Sequence, residues 1–419
     1  MFYLKKKNNY LDIIICFIFI FGILISKDSF SKLTSIIFLF YYVGNSIEKE
    51  VYLLLFVLFF TTLTPFNIFG ITLSSLCQVI LISKILFREK FNNLIPSLLC
   101  ILILVAFQGV AILFFNQTLN RMIVMILNFT MMVILREYAG RISKRNLENY
   151  YIFGLILMLL VAIIKQGDFF TQTAYRFKGL WTDSNFLGLF CSIGLSFCYL
   201  RIKSRKNYIL NTCLSLFIFY CGYRTYSLTF IFVMGIFGMI IFKELLTSKL
   251  RMWIKICICI LFIISIIIIF KHYLMPLLES RFLGKSDFSH GRSRTWENAI
   301  DFWSNNMGTL FLGMGYENVA NYTAYKASHC TYIDLFVEFG LLGIIPTIFL
   351  FINSIGTNNL KLKKLLGGES TYIFILFIYG ITLSLLSFDI MYLLLGVSKI
   401  LTSRKIGELR YDKKYYSIC

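Results

Sequence analysis

Three arginines, one histidine and a pair of carboxylates have the types and spacing to act on an anionic substrate: Arg176, Arg224 and Arg292, His329, and Asp334 with Glu338. A guanidinium is a planar fork that binds phosphate oxygens bidentately and keeps its charge at an interface. An imidazole titrates near pH ~6.5 and takes a proton from a hydroxyl at neutral pH. Asp334 and Glu338 stand at i and i+4, on one face of a helix, within an apolar run where an acid is functional or paired by default. His329 and Glu338 are about half a turn out of phase on a helix that begins at His329, so they do not form a close dyad.

These residues fall in a few polar stretches of a mostly apolar chain. In RFKGLWTDSN, 176–185, Asp183 or Ser184 suits a helix N-cap, and Arg176 suits a phosphate held near the positive helix end, with Asn185 a further candidate. In GYRTYS, 222–227, Arg224 interrupts an apolar run; an arginine at a bilayer centre costs at least ~2.5–3.5 kcal/mol, so it must be paired or reach the surface. In HGRSRTW, 290–296, Arg292 and Arg294 precede a helix start whose dipole favours an anion, an arrangement that makes sense around an anionic ligand. Downstream, Trp296, Ala299, Ile300 and Trp303 recur with helical spacing and predict a short amphipathic helix, capped by Ser293 after Gly291 and lying in the membrane interface with its tryptophans at headgroup level. LGMGYEN, 312–318, follows no strand, so its G-x-G predicts a tight turn and no nucleotide site. SHCTYIDLFVEFGLLG, 328–343, puts His329 at the mouth of the next apolar segment, with the two acids inside it.

The elements that must position these residues are membrane helices. Of 419 residues, 58% are hydrophobic and 15% charged, with four prolines and a mean hydropathy of +0.76. Continuous apolar runs near the ~20 residues needed to cross a hydrocarbon core predict an all-α polytopic bundle of about 12–14 transmembrane helices. The whole of 1–419 reads as a single membrane domain. Its large extracytoplasmic loop, about 272–329, contains short amphipathic helices and is too short and apolar to stand alone. The first run follows Lys5, Lys6 and Lys7 without a cleavage site and reads as a retained signal anchor.

The net charge of +20 reads as a topology signal rather than as nucleic-acid binding. With the N-terminus cytoplasmic, clusters such as Lys5–Lys7, the four basic residues of 201–206 and those near the C-terminus all fall on the inside, which puts both termini in the cytoplasm. Two splits keep this parity. One divides 207–242, about 54 Å as a single helix, at Gly222 and Arg224, which puts Arg224 at the outer surface; the other separates 370–388 from 390–402 near Asp389. Cysteines lie mostly within apolar runs and imply no disulfide framework. No H-x-x-x-H, clustered Asp pair or outside C-x-x-C is present, so no metal site is expected.

Taken together, Arg176, Gly179 and Asn185; Arg224; Gly291, Arg292 and Trp296; Gly313, Gly315 and Asn318; and His329, Glu338, Gly340 and Gly343 resemble the motifs of the O-antigen polymerase and O-antigen ligase family. The resemblance covers about 176–345, and it departs at Asp183-Ser184-Asn185, where many members carry proline before the asparagine. It implies a metal-independent inverting glycosyltransferase that needs no cofactor. This enzyme would join undecaprenyl-pyrophosphate-linked oligosaccharides on the outer face of the bacterial cytoplasmic membrane. Arg176, Arg224 and Arg292 would hold the pyrophosphate, and His329 or Glu338 would serve the acceptor hydroxyl; Asn185, Arg294 and Asp334 are further candidates. The implied partners are lipid-linked oligosaccharides, membrane lipids, a chain-length regulator and a flippase, with no nucleic acid. Polymerase is the expectation over ligase; a transporter of the same lipid is the alternative from another class.

Overall fold

A computed structural model describes residues 9–25, 28–63, 67–68, 71–89, 94–166, 176–181, 183–204, 207–247, 292–322, 328–366 and 368–402, with isolated positions between 252 and 275. His272, His290, Gly291, Cys257 and Cys259 lie outside the described residues. The chain forms helices α1 (Asn9–Leu24), α2 (Asp28–Val43), α3 (Ile47–Leu58), α4 (Leu73–Arg88), α5 (Ile95–Phe114), α6 (Leu119–Tyr138), α7 (Lys144–Gln166), α8 (Ser184–Lys203), α9 (Tyr208–Tyr223) and α10 (Leu228–Thr247). They are followed by α11 (Arg292–Ser304), α12 (Met307–Leu312), α13 (Val319–Tyr322), α14 (Thr331–Ile355), α15 (Leu362–Leu365), α16 (Thr371–Gly380), α17 (Asp389–Gly396) and α18 (Ser398–Leu401). A two-residue antiparallel pair, Asn67–Ile68 with Ile71–Thr72, precedes α4.

The architecture is all-α. Among the described residues, α5, α7, α8, α14 and α6 with the turn after it are long and apolar enough to cross a membrane, while α1, α2, α9 and α16 are shorter apolar helices. Their buried faces meet in an aromatic core: Phe19, Phe38, Phe56 and Phe60 from α1 to α3 pack ring on ring, and Phe59 reaches Tyr151 of α7 and Phe190 of α8. Many outward residues of the same helices, such as Leu102 and Phe114 on α5, are exposed and apolar, as lipid-facing positions are. All the described cysteines are free.

The loops that carry the basic clusters converge at one end of the bundle. Lys49 meets Asp12 at 3.0 Å, Tyr150 donates to Asp12 at 2.8 Å, Lys84 pairs with Glu50, Arg141 with Glu89, and Arg201 with Glu148 at 3.1 Å. The opposite end gathers the segment at 176–181, the α9–α10 turn, the start of α11 and the turn before α14.

Several local expectations need correction. The run 207–242 does divide at Gly222 and Arg224, and Arg224 caps the C-terminus of α9. The run 370–388 does not make one helix: α16 stops at Gly380, and a single 3-10 turn, Leu385–Ser387, leads to α17. This region leaves the helix because Thr331 ties it down, its amide and hydroxyl donating to the Leu383 carbonyl at 3.0 and 2.6 Å and its hydroxyl accepting the Leu385 amide at 2.8 Å. Segment 330–353 is one helix by extent, 331–355, but its backbone breaks at Gly340, where φ is +63° and ψ 175°.

Candidate functional site

The break at Gly340 and the G-x-G of 313–315 explain each other. Opening α14 there frees the carbonyls of Val337 and Glu338, and the amides of Met314 and Gly315 take them at 2.9 and 3.1 Å. Two backbones meet edge to edge, so neither contact glycine tolerates a side chain. A Cβ on Gly313 would lie 2.3 Å from the Glu338 carbonyl oxygen, and one on Gly340 would lie 2.3 Å from the Gly313 nitrogen. The G-x-G is thus more than a tight turn: it is the partner of a broken membrane helix, which keeps buried peptide groups satisfied where no water can reach them.

Helix α11 runs from Arg292, so Ser293 lies inside it rather than at its cap. Its buried side is Thr295 and Ala299, and it packs against α14. The Trp303 ring meets Phe336 with centroids 5.9 Å apart, and the Trp296 indole N–H donates to the Ser328 carbonyl at 2.7 Å. That bond anchors the turn that carries His329. The turn is further fixed by the Cys330 amide donating to Ser328 Oγ at 2.9 Å and by Ser328 Oγ donating to Asp334. His329 itself adopts φ +52°, two residues before α14 begins at Thr331, so it stands off the helix it was expected to open.

On the facing side, Arg176 and Phe177 are laid across the α9–α10 turn. Arg176 Nε donates to the Thr225 carbonyl at 3.2 Å, and the Phe177 amide donates to the Arg224 carbonyl at 2.9 Å. The Arg224 side chain is buried under them and donates from Nη1 to the Tyr220 hydroxyl at 3.4 Å. Asp183 caps α8, accepting the Asn185 amide at 2.9 Å, and Asn185 accepts the Ser227 hydroxyl at 2.7 Å, which joins α8 to the same turn.

These segments meet at His329, whose Nδ1 lies 3.9 Å from Asp183 Oδ2. Partial burial pushes His329 below its ordinary value; Arg292 pushes it the same way, and Asp183 opposes them. Arg176 is likewise lowered by partial burial, with Asp183 opposing and Arg292 adding to the shift. Arg176, Asp183, Arg292 and His329 therefore form one electrostatic cluster, with Asn185 bonded to its acid and Arg224 buried just beneath. Arg294 is exposed on the first turn of α11 and is not drawn in.

The two acids of α14 belong to a different, inner cluster. Asp334 and Glu338 are 2% and 4% exposed and act on each other. Glu338 faces the Glu317 amide and the Arg121 guanidinium, and one of its carboxylate oxygens has no hydrogen-bond partner among the described residues. Arg121 donates to Asn318 Oδ1 at 3.1 Å, Asn318 donates to the Phe115 and Met314 carbonyls at 2.8 and 2.7 Å, and Gln108 Oε1 accepts the Tyr316 amide at 2.7 Å. Burial raises Glu317 to about 7, against the pull of Arg121 and with the charges of Asp389 and Asp334 adding to it. Glu338 and Asp334 thus sit behind the turn of His329 rather than beside it.

The site residues that sequence reasoning missed are Asp183, read only as a cap, and Arg121 with Glu317, read as nothing. An acid in a polar stretch next to Arg176, in a chain with 21 Asp and Glu, was the available signal for the first. Nothing in the spacing linked Arg121 to Glu317 and Glu338, which lie about 200 positions downstream. No known family model matches the chain, and no curated protein matches it.

Proposed function

We propose that this chain is an O-antigen or capsule-type polysaccharide polymerase of a bacterial cytoplasmic membrane. It joins undecaprenyl-pyrophosphate-linked repeat units on the outer face, with both termini in the cytoplasm. The observation that carries the reading is the meeting of Arg176, Arg292, Asp183 and His329, from three separate stretches, at one end of an apolar bundle. Two guanidiniums share this cluster with one carboxylate, which leaves a surplus positive charge. A pyrophosphate bound there would balance that surplus charge. As the glycosidic C1–O bond to the pyrophosphate breaks, the electron pair leaves with the phosphate oxygens, where the arginines stabilise the growing charge. His329, whose proton affinity is lowered by burial and Arg292, accepts the proton of the acceptor hydroxyl as that oxygen forms the new bond to C1. The apolar helices leave room for the polyprenyl tail to lie against them, which accounts for an enzyme this hydrophobic. A ligase would use the same donor chemistry with another acceptor.

A transporter of the same lipid is the second reading, favoured by the helix break at Gly340 with acids beside it. In such carriers the opened peptide groups serve the cargo. Here Met314 and Gly315 occupy the freed carbonyls, and the break is closed by the chain's own loop. Purified protein in lipid nanodiscs, given defined undecaprenyl-pyrophosphate-linked repeats, separates the readings: a ladder of lengthened chains supports the polymerase, and translocation without lengthening overturns it.

A further inference from the structure

We infer that Asp183 is a positioning residue for His329, holding the imidazole with Nδ1 toward its carboxylate so that Nε2 is the nitrogen offered to the acceptor hydroxyl. The inference rests on the polymerase reading for what His329 does, and on geometry for what Asp183 does. Asp183 caps α8 with one oxygen, which accepts the Asn185 amide at 2.9 Å, and turns the other, Oδ2, toward His329 at 3.9 Å. The backbone cap uses one oxygen and leaves Oδ2 to the imidazole and the Asn185 side chain. The Asn185 side-chain amide reaches Oδ2 at 3.4 Å, and Asn185 is in turn held by the Ser227 hydroxyl at 2.7 Å. The carboxylate is therefore braced on two sides.

His329 is braced as well. Its backbone is left-handed, and both neighbours are bonded, Ser328 to Trp296 and Cys330 to Ser328. At 3.9 Å the pair is a charge contact, slightly longer than a hydrogen bond, as base–orienter contacts often are in a ligand-free site. An acid at Nδ1 fixes the tautomer, because the proton stays on the nitrogen facing the carboxylate and the lone pair stays on the other. The charged groups acting on this histidine are Arg292 from α11 and Asp183 from the loop before α8, with Asp334 of α14 reached only through Ser328. Arg292 disfavours the imidazolium that forms as the proton arrives, and Asp183 favours it. The acid supplies the part of the general base that Arg292 would otherwise take away.

The test uses the full-length protein in nanodiscs with ¹⁵N-labelled histidine, the His329 resonance being assigned by its loss in His329→Gln. Asp183→Asn keeps the helix cap, since asparagine caps as well as aspartate, and removes only the charge. The expected result is a His329 titration midpoint moved to lower pH, a chain-lengthening rate at pH 8 reduced at least about tenfold, and its acid limb shifted the same way. Asp183→Glu should recover part of the rate. An unchanged His329 titration and pH profile in Asp183→Asn overturns the inference and leaves Asp183 as a cap. If the wild type lengthens no chain, the polymerase reading fails, while the histidine titration still decides whether Asp183 acts on His329.

Discussion

Two polar regions of this molecule carry nearly all of its interesting charge, and they are built on opposite terms. The outer cluster of Arg176, Asp183, Arg292 and His329 is assembled from loops, keeps solvent access and has more positive than negative charge. The inner cluster joins the deeply buried Asp334 and Glu338 to the half-buried Glu317 and Arg121, has more acids than bases, and is laced to neighbouring backbone by Asn318 and Gln108. A region with surplus cations and open space is arranged for an anion that comes and goes. A region whose amides fill their own carbonyls is arranged to hold a broken helix in place. The difference teaches that charge inside a membrane protein has two uses, and that access to solvent separates them better than residue type does.

Substitutions ought to split along that line. The largest expected effect is on catalysis: Arg292→Ala or Arg176→Ala should lower chain lengthening by about 10²–10³-fold, the cost of one lost donor to a developing oxyanion, with membrane protein levels unchanged on immunoblot. Normal chain lengths in both variants would break the assignment of the outer cluster. Next comes Gly340→Ala, which forces a left-handed residue and a 2.3 Å contact with the Gly313 nitrogen. It should cost about 3 kcal/mol or more of stability and lower the thermal midpoint of the detergent-solubilised protein. A wild-type midpoint would mean the break is not a fixed part of the fold.

A smaller effect belongs to Glu317. Its folded value of about 7 lies above the ordinary 4.5, so the stability tied to its protonated form is complete below pH 4.5 and is lost as pH rises through 7. Glu317→Gln should therefore narrow the difference in unfolding free energy between pH 5 and pH 8, by at most about 3 kcal/mol; an unchanged difference would place Glu317 in contact with water. The smallest effect is expected at Arg294, exposed beside Arg292. Arg294→Ala should leave the lengthening rate within about twofold of wild type, and a larger loss would widen the outer cluster to include it.

The helical class and the apolar helices were legible because they rest on a local property, the length of apolar runs. The outer residues were legible one at a time, since arginines and a histidine stand out in so apolar a chain. Their grouping was not, because it depends on the Phe177–Arg224 and Trp296–Ser328 bonds between distant segments. The helical phase already held Glu338 out of a dyad with His329, whereas the tie of Asp334 to the His329 turn through Ser328 Oγ was not legible. The break at Gly340 was hidden because E-F-G-L-L-G continues the apolar pattern, and only the approach of Gly313 gives the glycine its purpose.

The measurement that bears most directly on the central claim is binding of undecaprenyl pyrophosphate to the nanodisc-embedded protein, followed by ³¹P NMR, in wild type, Arg292→Ala and Glu338→Gln. The outer cluster as the anion site predicts that Arg292→Ala weakens binding at least about tenfold, one charged hydrogen-bonding partner lost, while Glu338→Gln binds as wild type does. Equal binding by wild type and Arg292→Ala, or a loss confined to Glu338→Gln, would contradict it.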